Sequence, residues 1–477
     1  MNKKPNIVVF MADHYRGDMA PPFSRCRTPH LDGFYRDAAA FTNAYCPAPH
    51  CCPSRATFHT GLYPTQHGVW NNVNNGTALS RGLNEGIGTW SQKLAEAGYA
   101  LHHCGKWHVS DDQGPEDYGW VNVYGNERPK SQNDWDRYKN LQPHTGPRRP
   151  GQLIREGYPN FTLYGESESP FDDEAVTQAA AETLRTCCGN PDQPFVLYCG
   201  TLGPHDPYRV PIRFLDLYDI DDIELPASFH DNMLDKPALY RRTQDRFGQL
   251  TPDEYRQAIR HYLAFCSYED WLFGRLIQIL KDTGQYDDTI VVFTSDHGDY
   301  CGEHGLFAKG LPCFRSAYHI PLLIRWPRVT EKLKSRAIET YASLADFAPT
   351  VLDWAGIPYN ADDYAGRSLV PLLQGGHDGR PDEMYTQTNG NELYGVQRSV
   401  MTPEWKYVYN GFDYDELYDR VNDPDEMRNL AGLPEYRPVL RDMARKMWSF
   451  ARKHGDGFVS PYIMVSLCEF GPGCGQP

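Results

Sequence analysis

Two pairs, Asp13-His14 and Asp296-His297, stand directly after apolar runs, and His205 follows a third. Carboxylates and imidazoles gathered from separate strand ends offer the oxygen-rich ligation that a hard divalent cation takes. A single acid after a strand is more simply a cap for the loop or helix that follows; three such ends in one chain favour a metal. A second set is basic: Arg55, Lys106, His108, His205 and Lys309. The lysines of "CGKWH" and "FAKG" are flanked by glycine and aromatic residues, and cations in loops are what a tetrahedral anion requires. Before Arg55 comes the doublet Cys51-Cys52. Neither it nor Cys187-Cys188 has the C-x-x-C spacing of a zinc knuckle. The 13 cysteines, an odd number without repeated spacing, do not form a secreted disulfide framework and read mostly as small buried hydrophobes. For Cys51 and Cys52 a metal cage, a disulfide, packing and a reactive centre all remain open at this point.

Gathering these groups requires a sheet. "NIVVFMAD" (6–13), "PFVLYCG" (194–200) and "TIVVFTSDHG" (289–298) are buried parallel strands by their β-branched runs, and "ALHHCGKWH" (100–108) is a strand followed by a loop. "IPLLIRW" (320–326) is a further strand. Between them lie helical patterns at 31–41, 54–60 with Pro53 in its first turn, 89–99, 173–187 and 343–356, the last bent by Pro349. The clearest helix opens on the capping box Thr251 to Glu254 and runs to about Thr283. Alternation of this kind predicts an α/β fold, a large and mostly parallel sheet between helices, with the ligand site at the carboxyl ends of the strands. From 376 the texture changes to antiparallel strands (399–419) and one amphipathic helix (434–453), so 1–375 reads as a catalytic domain and 376–477 as a smaller α+β subdomain. Residues 109–170, rich in Gly, Pro, Asn and Tyr, read as an irregular insertion near the site.

Composition narrows the partners. With 47 basic against 62 acidic residues the net charge is −15, which argues against nucleic acid and for a soluble protein. The apolar run Ile7–Ala12 is too short for a signal-peptide core or a membrane span, and no other stretch reaches spanning length, so the expectation is a cytoplasmic protein with no membrane partner. A homo-oligomer is compatible with all of this.

The segment "CCPSRATFHTG" resembles the signature of the type I sulfatases, C-x-P-S-R followed by T-G, through Cys51, Pro53, Ser54, Arg55, Thr60 and Gly61. "GKWH" (105–108), "PHDP" (204–207), "SDHGDYCGEHGLFAKG" (295–310) and "ELYDRVNDPDEMRNLA" (416–431) also resemble sulfatase segments, in the right order, so the resemblance spans nearly the whole chain. It implies an alkaline-phosphatase-like fold and hydrolysis of a small sulfate ester. It also implies that Cys51, the register position of the motif, is oxidised to formylglycine (3-oxoalanine) by a formylglycine-generating or radical maturation enzyme. Cys52 is then the variable neighbour. In the hydrate of that aldehyde one hydroxyl attacks sulfur and the other expels sulfate by re-forming the aldehyde.

Carried over residue by residue, the resemblance implies that Asp13, Asp296 and His297 hold a divalent metal, calcium or else magnesium or manganese, together with position 51. Arg55 steadies the hydrate, and Lys106 and Lys309 bind sulfate oxygens. His108 assists elimination, and His205, with Lys309, protonates the leaving oxygen. Many sulfatases have a second Asp where this chain has His14, which stands as a further candidate ligand, and an Asn where it has His297. Asn72, in "WNNVNNG", is expected either at the substrate or in a turn, and His67, Trp70 and the aromatic insertion either at a sugar ring, at an aryl group or in the core. A sulfated saccharide is the expected substrate. Two alternatives stand beside it: a phosphonate monoester or phosphodiester hydrolase of the same superfamily, and a non-catalytic protein that binds sulfated glycans.

Overall fold

The computed structural model describes residues 4–125, 145–155, 160–391, 393–460, 462 and 469–472. The runs Asn6–Ala12 (β1) and Thr289–Ser295 are buried at every position, as strands covered on both faces must be. They pair in parallel from Asn6↔Thr289 to Ala12↔Ser295. On the other side of β1 lies Phe195–Gly200, and beyond it Ala100–Gly105, again parallel. An eight-stranded sheet results, with Val121–Gly125 at one edge and Ala337–Ile338 at the other. Leu322–Arg325 is its antiparallel member, paired with both Thr289–Ser295 and Ala39–Phe41. Two groups of helices pack around it: Pro29–Tyr35, Asp173–Cys188 and Pro252–Asp282 in one, Cys51–Thr60 (α1), Trp90–Glu96 and Phe347–Ala355 in the other. This is the mostly parallel α/β sandwich expected.

The 31-residue helix Pro252–Asp282 is set at its start as the sequence predicts: Thr251 Oγ1 accepts from Glu254 N at 3.3 Å and Glu254 Oε2 from Thr251 N at 2.7 Å. Four details differ from the sequence reading. The helix expected over 31–41 ends at Tyr35, and its alanine-rich tail Ala39–Phe41 is a buried strand, because pairing with Leu322–Arg325 overrides the helical propensity of alanine. Pro349 does not bend its helix; it is the third residue of Phe347–Ala355, in the first turn where no N–H is needed. The helix at the Cys51 doublet begins earlier than expected, at Cys51 itself, ahead of Pro53. The insertion is less irregular than its composition suggests, since Val121–Gly125 extends the main sheet and Tyr164–Glu166 pairs with Tyr208–Val210. Its residues 126–144 and 156–159 lie outside the described residues.

Beyond Leu373 the chain builds a four-stranded antiparallel sheet, Met384–Gly390, Tyr394–Met401, Trp405–Asn410 and Glu416–Asp419. The helix Arg437–Lys453 lays Leu440, Met443, Ala444, Met447, Trp448 and Ala451 on Val400, Tyr407 and Tyr409, a second core separate from the first. That spacing of three and four residues is the apolar stripe of an amphipathic helix. Among the contacts that tie this region to the rest of the chain, Glu426 Oε2 accepts from Arg315 N at 2.9 Å while its Oε1 takes Lys406 Nζ at 2.8 Å, Glu416 Oε1 accepts from Tyr240 Oη at 2.7 Å, and Asn391 Oδ1 accepts from Asn72 N at 3.0 Å. Among the described residues no helix is long and apolar enough to cross a membrane.

Candidate active site

The parallel register decides where the chemistry collects. Because Ala12 is level with Ser295, the residues that follow, Asp13 and Asp296, leave the sheet side by side. Met11 is level with Gly200 and Gly200 with Gly105, so His205 and the pair Lys106, His108 emerge at the same rim. Asp13 N donates to Gly203 O at 3.1 Å and Lys106 N to Gly200 O at 2.9 Å, which locks these exits together. Gly105 is required there: its φ is +92° and a Cβ would meet Gly200 O at 2.0 Å.

The fifth contributor is α1, which points its N-terminus at that rim. Its ten residues are all buried, it ends on Gly61 in the left-handed region, and Ser54 Oγ binds Asp296 O. Cys51 opens the helix, where unpaired N–H groups and the helix dipole favour an anion. Its Sγ lies 3.3 Å from His297 Nε2 and 3.7 Å from Asp13 Oδ1. One donor atom each from Asp13, Cys51, Asp296 and His297 lie within 4.8 Å of one another.

Two carboxylates and an imidazole nitrogen suit a hard divalent cation. The tautomer suits it as well: His297 Nδ1 donates to Gly298 O at 2.9 Å, which leaves the Nε2 lone pair facing the cluster. His14, offered as a further ligand, is not brought into this group; its Nδ1 is held by Asp299 Oδ2 at 2.8 Å and its Nε2 meets Lys309 Nζ.

Around the acids the cations alternate. Lys106 Nζ binds Asp13 Oδ2. Arg55, fully buried, donates from Nε to Asp296 Oδ2 at 2.8 Å and from Nη1 to Lys106 O and Tyr198 Oη at 3.0 and 2.9 Å. Its Nη2 is buried with no hydrogen-bond partner in the protein. Burial alone would raise the pKa of Asp13, but Lys106 and the nearby histidines hold it well below the carboxylate range. Burial and Asp13 push the Cys51 thiol up; Lys106, Lys309 and His297 outweigh them and leave it well below an ordinary thiol. Burial, then Cys51, raises Cys52 strongly, so the neighbours differ in character: Cys52 is an inert thiol whose Sγ accepts from Val73 N at 3.4 Å.

His108 Nε2 pairs with Asn74 Oδ1 at 3.1 Å, and its Nδ1 is buried without a partner in the protein. Burial, then the Lys106 charge, lowers it to about 4, so it is neutral and presents a bare ring nitrogen. His205 Nδ1 sits 2.5 Å from Asp206 O, and its Nε2 is 3.0 Å from Lys309 Nζ. With the proton on Nδ1, Nε2 is an acceptor, and Lys309 is the donor of that pair. Burial pushes the Lys309 ammonium down, but Cys51, Asp13 and Asp206 raise it further and keep it charged.

One expected substrate contact is spent elsewhere, and a second residue supports α1 through its side-chain oxygen. His67 is fully buried with both ring nitrogens engaged, Nε2 with Thr57 Oγ1 and Nδ1 with Val69 N, each at 3.1 Å, so it braces α1. Asn72 Oδ1 accepts from Cys52 N at 3.2 Å and so supports the start of the helix. Arg398 places its guanidinium over Trp70, with Cζ 5.1 Å from the ring centroid. Residues that sequence reasoning missed are Tyr198, Asn74, Asp206 and Asp299. Asp206 directly follows the motif histidine His205 and Asp299 lies two residues after His297, a signal that was present; nothing local marks Tyr198, an ordinary strand residue.

A family model described as Sulfatase matches residues 5–357, and one described as N-sulphoglucosamine sulphohydrolase, C-terminal, matches 302–453. The chain is 30% identical to a choline-sulfatase of Rhizobium meliloti, over 93% of its own length and 87% of that protein's. In solved structures it resembles the phosphonate monoester hydrolase of Agrobacterium radiobacter, with a TM-score of 0.76, 24% identity and coverage of 99% and 100% of the two chains. It also resembles a protein solved in complex with its substrate D-glucosamine-2-N,6-O-disulfate, with a TM-score of 0.71, 21% identity and coverage of 95% and 99%. The last two likenesses carry the fold. The family model covers most of the chain, including every strand end that builds the rim, and on that ground the protein belongs to the sulfatase family and is a sulfuric ester hydrolase.

Proposed function

We propose that this enzyme hydrolyses the sulfate ester of a small sulfated carbohydrate, with Cys51, converted to formylglycine by a separate maturation enzyme, as its nucleophilic centre. The observation that carries this reading is the placement of the Cys51 side chain: at a helix N-terminus, against two carboxylates and His297, and ringed by Arg55, Lys106 and Lys309. Asp13, Asp296 and His297 would hold the divalent cation, with calcium the first expectation for so oxygen-rich a set. When bound it supplies positive charge that acidifies the hydroxyl of the converted residue and draws in a sulfate oxygen. The aldehyde hydrate supplies two hydroxyls on one carbon, one to attack sulfur and one to release sulfate.

The protein's own groups do the rest. Arg55, fixed by Asp296, Tyr198 and the Lys106 carbonyl, turns its free Nη2 toward the anion. Lys106 and Lys309 bring two buried charges to the sulfate oxygens, where low polarity strengthens each contact. His108 accepts a proton at Nδ1 because its Nε2–H is committed to Asn74. On the leaving side the acidic hydrogen is on Lys309, and His205 aims it by accepting at Nε2. Asn72 and Asn75 both donate to Asn391 Oδ1 and Asn74 Oδ1 holds His108, and this polar wall around "WNNVNNG" favours a hydroxylated substrate over an aryl one.

The test is a sulfate-release screen over sulfated mono- and disaccharides, choline sulfate, aryl sulfates and phosphonate monoesters. Preference for a sulfated sugar supports the reading. Preference for choline sulfate or an aryl sulfate overturns the carbohydrate assignment, and preference for the phosphonates overturns sulfate esters as the physiological class.

A further inference from the structure

Lys309 does not stand alone at the rim. Its Nζ lies between two imidazole nitrogens, His14 Nε2 and His205 Nε2, whose rings are 4.0 Å apart by their centroids. The other nitrogen of each ring is committed to an oxygen: His205 Nδ1 to Asp206 O, and His14 Nδ1 to Asp299 Oδ2 at 2.8 Å. Both Nε2 atoms are therefore acceptors, and an ammonium with two of its three N–H bonds taken up has one left to offer. Asp299 also reaches Lys309 from behind. Its Oδ1 accepts from Ala308 N at 3.0 Å and from Cys301 N at 2.8 Å, while Tyr208 Oη donates to Oδ2 at 2.8 Å. One fully buried carboxylate thus holds the backbone beside Lys309 and the imidazole that meets its tip. His14 adopts φ +67°, a conformation uncommon outside glycine, and its Nε2, 3.9 Å from Asp13 Oδ1, makes its short contact with Lys309 Nζ.

We propose that His14, oriented by Asp299, is a positioning residue for Lys309: it fixes the ammonium so that its remaining N–H faces the leaving oxygen, and it does not bind the metal. This rests on the functional reading above for the identity of the leaving oxygen, while the geometry of Lys309 stands apart from it. Two variants separate the roles of the ring. His14→Phe keeps its shape without nitrogen; His14→Gln keeps one donor and one acceptor at similar reach.

The first readout needs no turnover: labelling of Lys309 by acetic anhydride, followed by mass spectrometry on the folded protein, beside its metal content. Faster labelling of Lys309 in His14→Phe than in wild type or His14→Gln, at unchanged metal content, supports the proposal. Equal labelling, or loss of metal from both variants, overturns it. The second readout is kcat/KM over sulfate esters of graded leaving-group acidity. His14→Phe should lose about 100-fold on alkyl-type leaving groups and about tenfold or less on 4-nitrophenyl sulfate, with His14→Gln partly restored. A loss equal across all leaving groups contradicts it. If the phenylalanine variant does not fold, His14→Ala answers both questions. A wild-type enzyme that releases no sulfate while Lys309 labelling responds to His14 overturns the functional reading and leaves the positioning role standing.

Discussion

Arg55 and Asp296 form a salt bridge at 2.8 Å, Nε to Oδ2, with both side chains fully buried. A pair removed from water in this way is held by its geometry and its remaining hydrogen bonds, and breaking one side leaves an uncompensated charge. In this protein the same carboxylate is also a candidate metal ligand, so the bridge couples the stability of α1 to the chemistry of the rim.

Asp296→Ala is expected to abolish metal binding and turnover together and to destabilise the fold by about 3–5 kcal/mol, because Arg55 loses its partner. Asp296→Asn keeps an acceptor for Arg55 and should be the more stable variant, still with little metal. Elemental analysis and denaturant melts read the two effects separately. Retained stoichiometric metal in Asp296→Ala would remove this residue from the ligand set.

Arg55→Lys should behave as a severe change despite its retained charge. The guanidinium serves Asp296, Tyr198 and the Lys106 carbonyl at once, and an ammonium cannot reproduce that fork. A stability loss of about 2–4 kcal/mol is expected, with a fall in kcat even for the folded fraction. A kcat equal to wild type would show that Arg55 braces the helix without touching the reacting group.

The two cysteines of the doublet should separate cleanly. Cys52→Ala leaves a small void and removes the Val73 N–H acceptor, worth about 1–2 kcal/mol of stability, with turnover largely kept. Cys51→Ala should retain the fold and lose activity. Steady-state assays on thermally matched samples decide this, and an inactive but well-folded, metal-replete Cys52→Ala would assign Cys52 a role beyond packing.

Much of this site was legible because sulfatase chemistry is written in strand-end motifs that remain contiguous in sequence. Asp13, Asp296, Lys106 and His205 could be placed at one rim from the alternation of strands and helices alone. What could not be read was partner choice. His67 stood beside the signature and looked available, yet the fold spends both its ring nitrogens bracing α1, a matter of side-chain direction that spacing does not encode. Ala39–Phe41 failed for the opposite reason, since two alanines and a phenylalanine carry little pattern and their pairing partner lies far along the chain, in Leu322–Arg325.

Asp270 provides a pH test away from the rim. It accepts from Leu31 N at 2.6 Å and His30 N at 3.2 Å at the start of Pro29–Tyr35, and burial raises its pKa to about 7. A carboxyl with a folded pKa above its unfolded value binds a proton more tightly when folded. Its contribution to stability is therefore fully present below the unfolded value of about 4 and is lost as pH rises through about 7, by up to about 1.4 kcal/mol per unit. Asp270→Asn removes that dependence while keeping an acceptor for the helix. The difference in unfolding free energy between variant and wild type should shift toward the variant from pH 4 to 7. A difference constant with pH would show that Asp270 is ionised throughout.

The central claim, that the reacting group at position 51 is no longer a cysteine, is tested most directly by mass spectrometry of the peptide ending at Arg55 from protein co-expressed with a maturation enzyme. An aldehyde is expected at 51, trapped by a hydrazide, with Cys52 intact and specific activity rising in proportion to the converted fraction. A fully active enzyme that carries an unmodified thiol at Cys51 would contradict it.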